Sequence, residues 1–482
     1  MDISRRHFFE RSVFLAASAA LSREAHTAAP ASSPVTTPPS NTLRAAIIGC
    51  GIRGKQHAKE IARMPDVAIT HICDPDLDRV DELAAVIKDL GRPDPAKFQD
   101  LRRVFDDPSV DVVFIATPNH WHSLAAIWAM QAGKDAYVEK PVSHNIVEGR
   151  RMVEAARKLA RICQTGTQNR SRGGLAEAVR YMHEGKLGDV RLAKSIIYGG
   201  RGSIGGPVEC PIPPRCDHNL WAGPAPLVVP KRARFHYDWH WMWETGGGEI
   251  GNNNVHSLDI CRWGLGVNGL CNKVVSYGGR LGYTDVGDTP NTQVALFDFG
   301  QKTIVTETRG LKSEPFHPKI KSMWFFYGSE GIIADSHLFD REGTLIRAFE
   351  GTSENHFANF IKAVRSRNSA DLKAPILEGH LSTALCHLAN ISYRLGEKAD
   401  PVALRRAVEA APKESRSSET LEQTLQHLQS VGIDLTKTPI TLGRSLSLKP
   451  GSERFADCPE ADALLGREYR APFTLPPESA FA

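Results

Sequence analysis

Leu43-Arg44-Ala45-Ala46-Ile47-Ile48-Gly49-Cys50-Gly51-Ile52-Arg53-Gly54 is the stretch that decides the fold of this chain. A short apolar run enters a G-x-G-x-x-G turn, and a helical pattern from Lys55 to Arg63 follows. Gly49 permits the tight turn, and Gly51 lets the backbone approach a pyrophosphate. Ile52, Arg53 and Gly54 open the helix, whose N-terminal N–H groups and dipole favour an anion. A second strand, Val67 to Cys73, ends on Asp74. That aspartate lies about 20 residues past Gly54, the spacing for a carboxylate that takes the ribose hydroxyls of a dinucleotide. Because it would repel a 2′-phosphate, NAD is expected as the cofactor, with Arg53 keeping NADP open.

Working outward, strands and helices alternate. A helix (Leu77 to Leu90), a buried strand (Val110 to Ala116), a helix (Leu124 to Ala132), a strand (Ala136 to Val138) and a helix (Ile146 to Leu159) follow in order. This predicts an α/β domain over 41–165 with a Rossmann-type, doubly wound parallel sheet. Past residue 165 one helix precedes the strand Val190 to Tyr198, and a Gly/Pro-rich region runs to Pro230. A helix from Val255, several β-type runs between Val274 and Phe349 and two closing helices predict an α+β domain over 166–399. Its sheet is expected to be large, open and mostly antiparallel. Residues 400–482 form a more polar C-terminal extension with an amphipathic helix, Leu421 to Val431. Residues 1–40 carry Ser4-Arg5-Arg6-His7-Phe8-Phe9, a mildly apolar run from Val13 to Leu21 and a Ser/Thr/Ala/Pro-rich linker. Twin arginines before a weakly apolar run predict a twin-arginine signal and a periplasmic protein; a basic tail is the alternative.

Composition narrows the function classes. Of 482 residues 41% are hydrophobic and 24% charged, as in a globular protein with a real core. A formal charge of +4 gives no reason to expect nucleic acid. No apolar run in the mature chain is long enough to span a membrane. The nine cysteines are scattered and odd in number, which is not a disulfide framework. Cys210 and Cys216 either pair or stay free, and their spacing with His218 matches no zinc pattern, so no metal is expected.

Two motifs sit at carboxyl ends of strands, where open α/β sheets bind ligands. They are Thr117-Pro118-Asn119-His120-Trp121-His122 and Glu139-Lys140-Pro141. With Gln168-Asn169-Arg170 and the segment Gly246 to Asp259, this set resembles the glucose–fructose oxidoreductase / inositol dehydrogenase (Gfo/Idh/MocA) family from residue 43 to about 396. The resemblance implies a lysine, here Lys140, beside the nicotinamide and against the substrate hydroxyl. It makes Thr117, Asn119, His122, Glu139 and Gln168 candidate cofactor contacts and Arg170 a candidate substrate contact. For His120 and His122 loop packing stays an equal alternative. A lysine suits the chemistry: its cation stabilises a developing alkoxide, and burial lowers its pKa enough to relay a proton.

The chain also departs from the family pattern. An Asp-x-x-x-His pair is usual at the start of a helix; here His256 matches the histidine but Asn252 stands at the aspartate position. An amide can orient a hydroxyl but cannot take its proton. His256 then handles the proton alone or with Lys140 or Glu249. The stretch Arg234 to Trp243 is rich in aromatics. If extended, it puts Trp239, Trp241 and Trp243 on one face and His236, Asp238 and His240 on the other. That suits a carbohydrate, with C–H faces on rings and hydroxyls on polar groups; a core or subunit interface suits the tryptophans equally. The expected function is hydride transfer between a sugar, polyol or glycoside carbinol and tightly bound NAD. The alternative is an NAD-dependent glycoside hydrolase or lyase that oxidises its sugar transiently; a non-catalytic sugar-binding protein is a third class. The resemblance also implies self-association into a homo-oligomer through the open sheet.

Overall fold

The computed structural model describes residues 41–481 except 410 and 412, so the stretch expected to direct export lies outside the described residues. The described residues from 42 onward form one compact unit.

The first sheet follows from the alternation. Strands β1 (Leu43–Ile48), β2 (Val67–Cys73), β3 (Ala96–Phe98), β4 (Val112–Ile115), β5 (Asp135–Val138) and β6 (Cys163–Thr165) are ordered β3-β2-β1-β4-β5-β6. Their pairings are all parallel. Ala45 to Ile48 and Val112 to Ile115 are almost wholly buried, as strands covered on both faces must be. The order reverses at β1, so the carboxyl ends of β1 and β4 flank the crevice where such sheets bind ligands.

The second sheet has eleven strands. They are β7 (Leu192–Tyr198), β8 (Lys273–Gly279), β9 (Thr292–Asp298), β10 (Thr303–Arg309), β11 (Trp324–Gly328), β12 (Gly331–Ala334), β13 (His337–Phe339), β14 (Leu345–Ala348), β15 (Glu397–Ala399), β16 (Ile440–Leu442) and β17 (Leu446–Ser447). The path is β14-β13-β12-β11-β7-β10-β9-β8-β16-β15, with β17 on β8, and β7–β10 is its one parallel pairing. One face packs on the helices Gly173–His183, Val255–Leu265 and Ile376–Arg394. The sheet does not close on itself, but its other face is not bare. Leu404, Val408, Leu421, Leu425 and Leu428, from the helices Pro401–Glu409 and Ser417–Ser430, cover Tyr277, Val294, Leu296 and Val305. The face expected to carry self-association is therefore occupied there by the chain's own extension.

That extension is more than an appendage. It adds β16 and β17 to the sheet, then returns to the first domain, where Phe473 packs edge-on against Trp121, with ring centroids 5.5 Å apart. Among the described residues no helix is long and apolar enough to cross a membrane, and no cluster of His, Cys, Asp and Glu could hold a metal. Cys210 and Cys216 are both free thiols in an apolar cluster with Trp221, Phe235 and Trp239.

Candidate functional site

The glycine turn is built as its spacing requires. Gly49 has φ +94°, and a Cβ there would meet the Ala116 carbonyl at 2.6 Å. A Cβ on Gly54 would stand 2.0 Å from the Gly49 oxygen, so helix Ile52–Ile61 packs on the turn with no room for a side chain. Gly51 is different: nothing lies within 4 Å of its Cβ position, and the neighbouring Ile52 is 71% exposed. An open space before unpaired first-turn amides is a cradle for a pyrophosphate. Asp74 is held at the end of β2, accepting from the Cys50 amide at 2.8 Å and the Asp76 amide at 2.9 Å. Burial raises its pKa, and those two amides oppose the rise. Across the crevice the Thr117 hydroxyl is buried without a partner. These features fit a dinucleotide.

Glu139 is engaged by protein groups. Its carboxylate lies 2.8 Å from Arg53 Nε and 2.9 Å from His57 Nε2, and Gln168 Nε2 donates to it at 3.4 Å. Burial would raise its pKa, but the Arg53 cation and His57 together hold it well below the usual carboxylate range. The expected cofactor contacts Glu139 and Gln168 are thus an internal brace between the glycine-turn helix and the end of β5, and Arg53 belongs to it. His122 has the packing contacts of its alternative reading. Its ring nitrogens lie 2.6 Å from the Pro141 carbonyl and 2.8 Å from the Thr117 carbonyl, so it ties the two motifs together. His120 likewise bonds the Trp221 carbonyl at 3.0 Å. Asn119 is buried as the first residue of helix Asn119–Gln131.

Lys140 Nζ donates to the Asn252 main-chain carbonyl at 2.7 Å. Burial lowers its pKa, opposed first by Glu139. Ile250–Asn254 is a single π-helical turn that runs into helix Val255–Leu265. Such turns are frequent at functional sites. His256 has an unpartnered, buried Nδ1, and burial, with the nearby Lys140 cation, lowers its pKa to about 3. The Asn252 carboxamide faces Glu249 Oε2 at 3.3 Å. Glu249 is buried and also takes Arg201 at 2.9 Å and the Asn253 amide. Both of its oxygens are therefore engaged, which suits a positioning anion better than a proton acceptor.

Three candidate substrate contacts, Arg170, Trp239 and His236, land differently from expectation. Arg170 makes a bidentate pair with Asp259 at 2.8 and 2.9 Å and reaches Glu378 at 3.1 Å. It is a buried brace that locks the helix of His256 to the first domain's exit. The aromatic stretch is not extended: Asp238–Trp241 is a 3-10 turn, so the expected alternation of faces does not form. Trp239 is buried and stacks on His240 at 3.6 Å. His236 turns to Asp76, 2.8 Å away on the first domain. Trp241 lines a cleft with Arg201, Glu249, Arg280, Tyr283 and Asn291, and Trp243 lines a second one with His144 and His387. The first of these adjoins Asn252 through Glu249. Arg201 and Tyr283 had no signal in the sequence, because they lie in loops without periodicity and meet only through the fold.

Comparison with known proteins agrees with this geometry. Residues 43–167 match the oxidoreductase family described as having an NAD-binding Rossmann fold, and residues 203–412 match the same family's C-terminal alpha/beta domain. A glycosyl hydrolase family 109 protein of Shewanella pealeana is 32% identical over 177 residues, 34% of this chain and 39% of that protein. The NAD-dependent scyllo-inositol 2-dehydrogenase of Bacillus subtilis is 31% identical over 159 residues, 33% of this chain and 44% of that one. The chain thus spans less than half the length of these curated relatives. In fold it is similar to the WlbA dehydrogenase of Bordetella pertussis, solved with NADH and UDP-GlcNAcA, with TM-score 0.55 and 19% identity over 73% of this chain and 97% of that one. With the family's two domains matched in order along it, the chain belongs to the Gfo/Idh/MocA family of NAD-dependent oxidoreductases.

Proposed function

We propose that this protein oxidises a ring carbinol of a sugar, polyol or glycoside. The observation that carries the reading is the approach of Lys140 to the Asn252 turn and His256 at the carboxyl end of the first sheet. A half-buried ammonium there, bonded to the Asn252 carbonyl, acts on a neutral imidazole whose Nδ1 has no partner. A nicotinamide bound in the crevice supplies the hydride acceptor. Lys140 Nζ binds the substrate hydroxyl and steadies negative charge as it develops on that oxygen. Its lowered pKa lets the same group pass the hydroxyl proton onward. His256 Nδ1 and the Asn252 segment orient the ring, and Trp241 offers an apolar wall for its C–H face. Asp74 favours NAD over NADP, because a 2′-phosphate would meet its carboxylate.

A second reading, redox-neutral cleavage of a glycoside, is favoured by the glycosyl hydrolase family 109 relative. One experiment separates the two. Purified protein is given a panel of sugars, polyols and aryl glycosides, while NADH absorbance and aglycone release are followed together. Net NADH supports the dehydrogenase; aglycone without NADH supports cleavage. Neither signal, with no nucleotide bound, would leave a sugar-binding protein and overturn the proposal.

A further inference from the structure

The second cleft, the one lined by Trp243, is built from three parts of the chain. Helix Ile376–Arg394 presents His387, Asn390, Ile391 and Arg394 to it, a spacing that keeps the four on one helical face. Trp243 and His144 come from the other walls. These walls are tied together by hydrogen bonds. His387 Nε2 lies 3.1 Å from the Ser143 carbonyl, three residues past Lys140. His144 Nε2 lies 3.1 Å from the Gly246 carbonyl, and the Asn390 carboxamide donates to the Gly247 carbonyl at 3.0 Å.

Most polar atoms around the cleft are already engaged. The Asn390 side-chain oxygen accepts from Gln293 at 3.2 Å, and His144 Nδ1 lies 3.2 Å from Arg467. Two groups are left over among the described residues. The Arg394 guanidinium lies 5.4 Å from the Trp243 ring, and no carboxylate or carbonyl is bonded to it. Burial lowers its pKa, opposed by Asp288, whose carboxylate accepts instead from the Trp243 amide at 2.8 Å. The second group is His387, which is only 8% exposed and has no partner on Nδ1. Burial lowers its pKa to about 4, so the ring is neutral near pH 7. The Ser143 carbonyl can only accept, which puts the ring hydrogen on Nε2 and leaves Nδ1 as an acceptor.

The cleft therefore offers a guanidinium that donates and an imidazole nitrogen that accepts. They stand two helical turns apart, with Cα atoms about 10 Å apart along the axis. An arginine on a helix leans back toward the N-terminus, which brings its head nearer to His387. Trp243 and Ile391 add apolar surface. We propose that this cleft binds a sugar acid, with its carboxylate on Arg394 and one of its hydroxyls donating to His387 Nδ1. A planar carboxylate matches the guanidinium fork. A neutral sugar would leave the fork without its anion, and a simple anion has no hydroxyl for the imidazole. Binding here does not depend on the chemistry at Lys140.

The test is calorimetric titration of the full chain as purified, with sodium D-glucuronate and sodium D-gluconate as probes and sodium acetate as the control. At least one sugar acid is expected to bind saturably, and acetate at least tenfold more weakly. Arg394→Gln removes an exposed side chain, so its fold should stay intact by circular dichroism. Its affinity for the sugar acid is expected to fall at least tenfold, the usual worth of a hydrogen-bonded charge. Arg394→Lys, which keeps the charge and loses the fork, is expected to fall between. No saturable binding of either sugar acid overturns the proposal. Equal affinity in parent and Arg394→Gln also overturns it, because the acid then sits elsewhere. Acetate binding as tightly as the sugar acids would show a simple anion site and overturn the assigned class.

Discussion

The Asn252 carboxamide turns toward Glu249, 3.3 Å away, and not toward His256, although four residues separate it from the histidine. Its carbonyl oxygen meanwhile accepts from Lys140 Nζ at 2.7 Å. The residue thus serves Lys140 through its backbone and the Arg201–Glu249 pair through its side chain. A relay from position 252 to the imidazole is not what this turn builds.

Asn252→Asp is therefore expected not to move a His256 limb upward in the pH–rate profile. The new carboxyl would face Glu249, and the like charge would push its pKa above the ordinary aspartate range. A carboxyl raised in the folded state costs stability above that pKa, and the cost disappears as acid protonates it. The melting temperature of the variant should lie below the parent's at pH 8 and approach it at pH 4. An upward-shifted basic limb, with chemistry limiting, would show that the side chain reaches His256 after all.

Lys140→Ala should lower turnover by about 10²–10⁴-fold, the usual worth of a positioned acid–base group. Nucleotide retention should change little, since the glycine turn and Asp74 hold the other end of the molecule. Steady-state kinetics with mass analysis of bound nucleotide measures both. Near-parental turnover would remove Lys140 from the centre of the chemistry.

The two inner glycines should part company. Gly54→Ala places a methyl against the Gly49 carbonyl and should destabilise the fold by roughly 1–3 kcal/mol or more, as overpacking does. Gly51→Ala meets no protein atom, so its stability should match the parent while nucleotide affinity drops at least tenfold. Denaturant melts beside NADH fluorescence titrations would separate the effects. A Gly51→Ala protein with parental affinity would mean that no phosphate approaches this turn.

Acid should weaken the fold through its buried histidines. Burial holds His120, His240 and His256 near about 3, against 6.5 for free imidazole. Between those values the unfolded chain takes up protons that the folded chain refuses, so stability falls as pH drops from about 6.5 toward 3. Glu148, raised to about 7 by burial, works the opposite way over part of the range. His240→Asn should therefore flatten the slope of melting temperature against pH between 6.5 and 4.5, and Glu148→Gln should steepen it. An unchanged slope in both would mean that these groups titrate alike in the folded and unfolded chain.

Local chemistry by itself determined much of this protein. The strand–turn–helix from Leu43 to Gly54, the acid at Asp74, the parallel alternation to residue 165 and the position of Lys140 at a strand end all follow from periodicity and short-range sterics. Those depend on neighbours a few residues away. Tertiary structure decided the rest. Glu139, Gln168 and His122 carry the right chemistry for cofactor contacts, yet Glu139 bonds Arg53 and His57, Gln168 bonds Tyr137 and Glu139, and His122 bonds the Thr117 and Pro141 carbonyls. Arg170 is claimed by Asp259, and the tryptophan alternation is lost to a 3-10 turn. His236 bonds Asp76, 160 positions away along the chain. A buried polar group must find a partner wherever the fold brings one, because leaving it unpaired costs about 1–3 kcal/mol. Which partner that is depends on distances through space, and no spacing along the chain encodes them.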